Sequence, residues 1–197
     1  MNPTDDGPTD AEVAMARYAA ARLAPGAPLR VEEFEDSAGR TRLDVAVFPD
    51  VPVAGLHTVA TLSLHRHAAA VADPADPVEL LTVLESPDVD LVAGLLAACC
   101  FALVAEGEPA RAGTVLPDVA GDLLEVPVPH LVLTAPGSFP GLSRYRLADG
   151  VDVHWLQAVP LHETERRLLQ ERGLDALEDA FEAAGVDVAD LWRNPVV

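Results

Sequence analysis

The sequence predicts an α+β domain: a mixed, mainly antiparallel sheet packed with a buried apolar helix and a C-terminal helix pair. Three stretches carry that prediction. Arg30 to Glu35 and Arg42 to Phe48 alternate apolar and polar residues on either side of Asp36-Ser37-Ala38-Gly39. That is a hairpin pattern with turn chemistry between its strands. Leu91 to Ala105 is an unbroken apolar run, and a helix that is apolar all round belongs in the interior. Finally, Val151 to Gly173 reads as an apolar strand that stops at Pro160, followed by a charged helix with Leu161, Leu168 and Leu169 as its apolar stripe. Proline cannot donate to a ladder, its fixed φ suits a helix start, and Gly173 stands where a helix-ending glycine belongs.

The remaining elements follow in order. Residues 1–9 are polar and proline-containing and read as a flexible arm, with residues 10–197 as a single domain. Asp10 is positioned as an N-cap for a helix through Val13, Ala16, Tyr18, Ala20 and Leu23, which ends before Pro25-Gly26. After the hairpin comes a loop over 49–55, and His57 to Leu64 reads as a third strand. Residues 65–77 are loop-like and Val78 to Leu84 is a fourth strand. Ser86 or Asp88 caps the apolar helix, which ends near Gly107. Short strands are predicted at Thr114 to Leu116 and His130 to Thr134, and a long loop over 135–150. The second C-terminal helix runs from about Leu174 to Ala184 with Leu174, Leu177 and Phe181 inward and Gly185 as its stop; Leu191 and Trp192 are expected to tuck back onto the body.

Composition bounds the function. At 197 residues the chain suffices for one domain with a full core, and 50% hydrophobic with 23% charged residues is globular composition. All 13 basic residues are arginine, and the net charge is −19. Such a surface repels phosphate backbones, which argues against nucleic acid, and attracts a basic protein. Asn2-Pro3-Thr4-Asp5-Asp6 is no cationic leader, so a cytoplasmic location is expected. The fifteen apolar residues from Leu91 to Ala105 fall short of the roughly 20 that a membrane span needs. Cys99 and Cys100 are adjacent within that run and read as buried, reduced thiols.

One family resemblance emerges from the C-terminal third. WLQAVPL (Trp155 to Leu161), then Glu165, then RGLDAL (Arg172 to Leu177) is similar to the C-terminal signature of the Suppressor of fused domain. Other pieces fall in the family's order: LDVAVFP from Leu43, HTVATLSL from His57, VELLTVL from Val78 and HLVLTAP from His130. The resemblance spans roughly residues 28–195. It departs from the family pattern at Leu62, where a glycine is usual nearby, and at Val78, where an arginine is common. It implies a non-enzymatic protein-binding module without a cofactor. Stand-alone bacterial members are proposed as immunity proteins of polymorphic-toxin systems, so the implied partner is a toxin, and the charge suggests a basic one. The alternative is a regulatory adaptor that binds an extended peptide at a sheet edge.

Candidate binding residues come from charge and from the signature. Glu32, Glu33, Glu35 and Asp36 form an acidic cluster at the hairpin, either a solvated turn or a basic partner's footprint. Trp155 and Gln157 lie on the signature strand, either as a recognition surface or as a core aromatic and its support. His65 and His67 would share a strand face and offer two zinc ligands, but the sequence names no third, so no metal site is assigned. A hydrolase built on that pair is the remaining enzymatic reading. Asp88 and Asp90 are expected to cap a helix rather than bind a cation. Ser138 lacks the pattern of a nucleophile elbow.

Overall fold

The computed structural model describes residues 9–27, 29–68, 77–107, 109–137, 139 and 141–197. Residues 1–8 of the expected arm, most of the 65–77 loop and Ser138 lie outside them. Thr9 belongs to the domain: its hydroxyl accepts from the Glu12 amide at 3.4 Å while Glu12 Oε2 accepts from the Thr9 amide at 2.6 Å. This reciprocal capping box makes Thr9, rather than Asp10, the N-cap of α1 (Asp10–Leu23).

The sheet contains β1 (Arg30–Glu35), β2 (Arg42–Phe48), β3 (Leu56–Thr61), β4 (Val78–Glu85), β5 (Val115–Leu116), β6 (His130–Thr134), β7 (Arg144–Arg146) and β8 (Asp152–Leu161). Their spatial order is β1-β2-β3-β4-β8-β6-β5, with β7 added beside β8. Every pair is antiparallel except β4 with β8. That parallel pair needs a crossover, and the apolar helix α2 (Val89–Glu106) lies within it, followed by the short α3 (Val119–Leu123). The expected α+β class and mixed sheet are what the chain forms.

Side-chain alternation divides the core between two faces. Leu43, Val45 and Val47 of β2 pack with Leu80, Leu84 and Ala158 beneath Val92, Leu95, Leu96, Cys99 and Leu103 of α2. Ala46 and Phe48 point the other way and meet Met15, Ala16, Ala19 and Leu23 of α1 together with Trp155. Farther along that second face, Val132, Val159 and Leu161 receive Leu169 of α4 (Glu163–Arg172) and Leu177 of α5 (Leu174–Ala184). Helix α2 is long and apolar enough to cross a membrane, but here it is the core helix of one sheet face. Asp88 caps its start and a left-handed Gly107 ends it.

Three local expectations are corrected. The third strand ends at Thr61, and Leu64–His67 form a 3-10 turn. Strand β8 runs through Pro160 to Leu161, with Pro160 opposite Leu131, so Leu161 is the last strand residue and not part of the helix stripe. Arg193 takes the Pro160 carbonyl at 3.0 Å. The missing N–H therefore lies on that same side, beyond the last β4 partner at Gln157, where no ladder bond is lost. Leu191 is buried as expected, whereas Trp192 stands 69% exposed.

Candidate protein interface

Strand β1 has only β2 as a strand neighbour among the described residues, which leaves one edge of the sheet open. Its hydrogen-bonding phase follows from the turn. Asp36 donates its N–H to the Thr41 carbonyl at 3.0 Å. Counting by twos, Phe34, Glu32 and Arg30 then face β2, opposite Leu43, Val45 and Val47. On the far side of β2, Leu62 donates to the Asp44 carbonyl at 2.8 Å, which fixes the same phase independently. The N–H and C=O groups of Val31, Glu33 and Glu35 consequently point to the open side.

The acidic cluster divides along this strand. Asp36 closes the turn: its Oδ1 accepts from Ala38 at 3.0 Å and Arg40 at 2.9 Å. The Arg40 amide, above all, holds its carboxyl below the usual aspartate range. Glu32 pairs with Arg30 at 2.9 Å, and Arg30 also reaches Asp90 at 2.6 Å at the start of α2. Asp90 thus serves the helix terminus and this bridge. Glu35 approaches Arg42 at 3.3 Å and remains exposed, as does Glu33. Asp36 is a turn residue; Glu33 and Glu35 are the exposed acids of the strand, Glu35 beside Arg42.

Glu33 lies opposite Asp44. Asp44 is half-buried and faces Glu12, whose carboxylate is paired with Arg66 of the 3-10 turn. Burial, the hydrogen bond and repulsion from Glu12, and the charge of Glu33 push Asp44 up to about 6. The open edge is therefore backed by further negative charge.

The signature residues lie inside. Trp155 is 2% and Gln157 5% exposed, and the Trp155 indole Nε1 has no hydrogen-bond partner among the described residues. They build the core, the structural one of their two readings, and neither side chain is accessible at the surface. The physical reason is their phase: they share the face of β8 that α1, α4 and α5 cover.

The histidine pair is separated by the 3-10 turn. His65 Nδ1 meets Glu79 Oε1 at 2.6 Å, while His67 Nε2 takes the Arg42 carbonyl at 3.2 Å. Glu79 is fully buried and also accepts from Thr61 Oγ1 and from the amides of Leu64 at 3.2 Å and His65 at 3.0 Å. It is the tether of the turn. Among the described residues, no group of three His, Cys, Asp or Glu is placed to hold a metal ion. Burial pushes the Cys99 thiol up to about 12 and Cys100 upward as well, which removes thiolate chemistry at neutral pH.

Sequence reasoning passed over one concavity. An open groove of about 660 Å³ lies at the opposite sheet edge, lined by Arg111, Gly113 and Val115 around β5 and by Gln170, Gly173 and Leu174 at the α4–α5 junction. The only sequence signals for it are Gly113 and Gly173, both at positive φ.

A family model described as Suppressor of fused protein (SUFU) matches residues 39–194. The chain belongs to the Suppressor of fused family. A curated relative, the immunity protein YqcF of Bacillus subtilis (strain 168), is 24% identical over 175 residues, 87% of this chain and 91% of that protein. A SUFU homologue from Neisseria gonorrhoeae FA 1090 superposes with a TM-score of 0.68 at 14% identity, over 94% of this chain and 98% of its own. A chain of a Sufu–Fu complex gives 0.63 at 14% identity, over 96% and 93%. Drosophila Suppressor of Fused gives 0.55 at 14% identity, and this chain spans only 42% of it. Within the family signature, Trp155 is core, Pro160 sits in the strand and Glu165 is buried.

Proposed function

We propose that this Suppressor of fused domain is a cytoplasmic, non-enzymatic binding protein that neutralises a basic partner toxin through the acidic edge of its sheet. The observation that carries the reading is the open strand β1, with Glu33 and Glu35 exposed along it in a chain of net charge −19. Electrostatic attraction raises the encounter rate with a cationic partner and fixes its orientation. The immunity-protein name of the Bacillus subtilis relative supports the role, and the Sufu–Fu complex supports partner binding by this fold. The inert thiols and the structural use of the histidines favour binding over catalysis. His57 joins the Asp50 amide to the Ser86 carbonyl, His130 joins Asp118 to Glu163, and His162 takes the Arg193 carbonyl.

Co-expression with a cognate basic toxin tests this reading. Protection from growth arrest is expected from the wild-type chain and is expected to be lost on reversing Glu33 and Glu35 to lysine. Equal protection by the reversed variant overturns the acidic-edge assignment. The groove beside β5 favours a second reading, a peptide adaptor. Apolar and main-chain contacts there give binding that changes little with salt, whereas the acidic edge gives a steep salt dependence.

A further inference from the structure

We infer that β1 receives a basic extended segment of the partner as an added, ninth strand, paired to the outward N–H and C=O groups of Val31, Glu33 and Glu35. This deepens the acidic-edge reading and rests on it. Three observations converge on the mode. The phase set by Asp36–Thr41 and by Leu62–Asp44 leaves three donors and three acceptors in a row without a strand neighbour among the described residues. The same three residues carry their side chains on one face, where Val31 is 46% exposed and Glu33 and Glu35 are exposed. Asp44, directly opposite Glu33, adds a further carboxyl to that face, on which Arg42 opposite Glu35 is the nearest cation.

A strand added about 4.8 Å away places its side chains directly opposite these. The matching occupant carries a cation opposite Glu35, a cation opposite Glu33 and an apolar residue opposite Val31, each two residues apart. A second copy of this chain is the wrong occupant. Pairing two β1 edges over their full length, centred on Glu33, brings glutamate against glutamate, the like-charge arrangement by which exposed edges are kept from self-association. The edge is closed to itself by charge and open to a cationic strand.

The probe is an acetylated, amidated peptide, Thr-Arg-Thr-Arg-Thr-Val-Thr, titrated into the whole protein and followed by amide hydrogen exchange and chemical shifts. Without peptide, the amides of Val31, Glu33 and Glu35 exchange fast and those of Glu32 and Phe34 slowly. Binding is expected to protect the three outward amides at least tenfold, to weaken at least tenfold in high salt, and to vanish when alternate peptide nitrogens are methylated. A Glu33→Pro variant removes an outward donor that the fold does not use and is expected to keep its circular dichroism and lose the peptide. If the methylated peptide binds as well as its parent, strand addition is wrong while the acidic-edge reading stands. If Glu33→Lys/Glu35→Lys also binds the parent peptide unchanged, both fall. Protection of the three amides without peptide, in a concentration-dependent manner, makes the edge a self-association site and overturns the inference.

Discussion

Arg193 reaches back from the C-terminal segment to grip Glu165 with both arms, Nη1 to Oε1 at 2.5 Å and Nη2 to Oε2 at 2.6 Å. Both side chains are buried. The remaining acceptor capacity of Glu165 goes to the amides of His162 at 2.8 Å and Val196 at 3.1 Å. Arg193 also takes the Pro160 carbonyl, and its guanidinium lies 5.2 Å from the Phe181 ring centroid. The pair ties the last residues to the end of β8 and the start of α4. Burial pushes the Glu165 carboxyl upward, and the bonds from Arg193, His162 and Val196 outweigh it, so it stays below its ordinary value.

Removing one partner strands the other as a buried charge. Arg193→Ala is expected to cost about 3–5 kcal/mol, read as a lower urea midpoint. Because the pKa of Glu165 is lowered, this contribution is present above its ordinary value of 4.5 and fades as pH falls below it. A loss below about 1 kcal/mol, the scale of a surface pair, contradicts the buried tether.

Asp44 has the opposite sign. Its carboxyl is raised from 3.8 to about 6, so the folded state holds the proton more tightly. The stabilisation is complete below the unfolded value and disappears as pH rises through about 6. An asparagine side chain mimics the protonated acid. The substitution Asp44→Asn is expected to raise the melting temperature at pH 7.5 more than at pH 4; an equal shift at both contradicts a carboxyl raised by burial and by Glu12.

Trp155 separates core from surface. Trp155→Ala is expected to cost about 3–5 kcal/mol. Trp155→Phe should cost clearly less, because the indole N–H it removes has no partner among the described residues. Both variants that remain folded should bind as the wild type does. A binding defect in a stable Trp155→Phe protein returns this residue to the interface.

The two histidines should differ. His65→Ala removes a 2.6 Å partner of buried Glu79 and is expected to lower the denaturation midpoint measurably. His67→Ala loses one exposed bond to a carbonyl, and its effect should stay within about 0.5 kcal/mol. Elemental analysis of the purified wild type should find no stoichiometric zinc; one zinc per chain, lost in either variant, contradicts this division.

Much of the fold was legible because its signals are local. The turn at Asp36 to Gly39, the cap at Asp88 and the stops at Gly107, Gly173 and Gly185 are short-range chemistry, and the apolar run of α2 is its own evidence. The misread positions depend on distant partners. Pro160 is tolerated in β8 because Arg193 and the end of β4 determine what lies beside it. The 3-10 turn forms because Glu79 collects its amides from the next strand. Trp192 and Leu191 are both apolar neighbours in sequence, and only the fold decides which one points inward. The same holds for the candidate interface: the glutamates were readable, but strand order, which makes β1 an edge, was not.

The most direct test of the acidic-edge account is quantitative binding of a cognate basic toxin to wild-type chain and to Glu33→Lys/Glu35→Lys, at low and high salt, with circular dichroism confirming that both are folded. The account predicts tight binding that weakens steeply with salt and falls at least tenfold on charge reversal. Equal affinity of the two proteins, insensitive to salt, contradicts it and moves the interface away from β1.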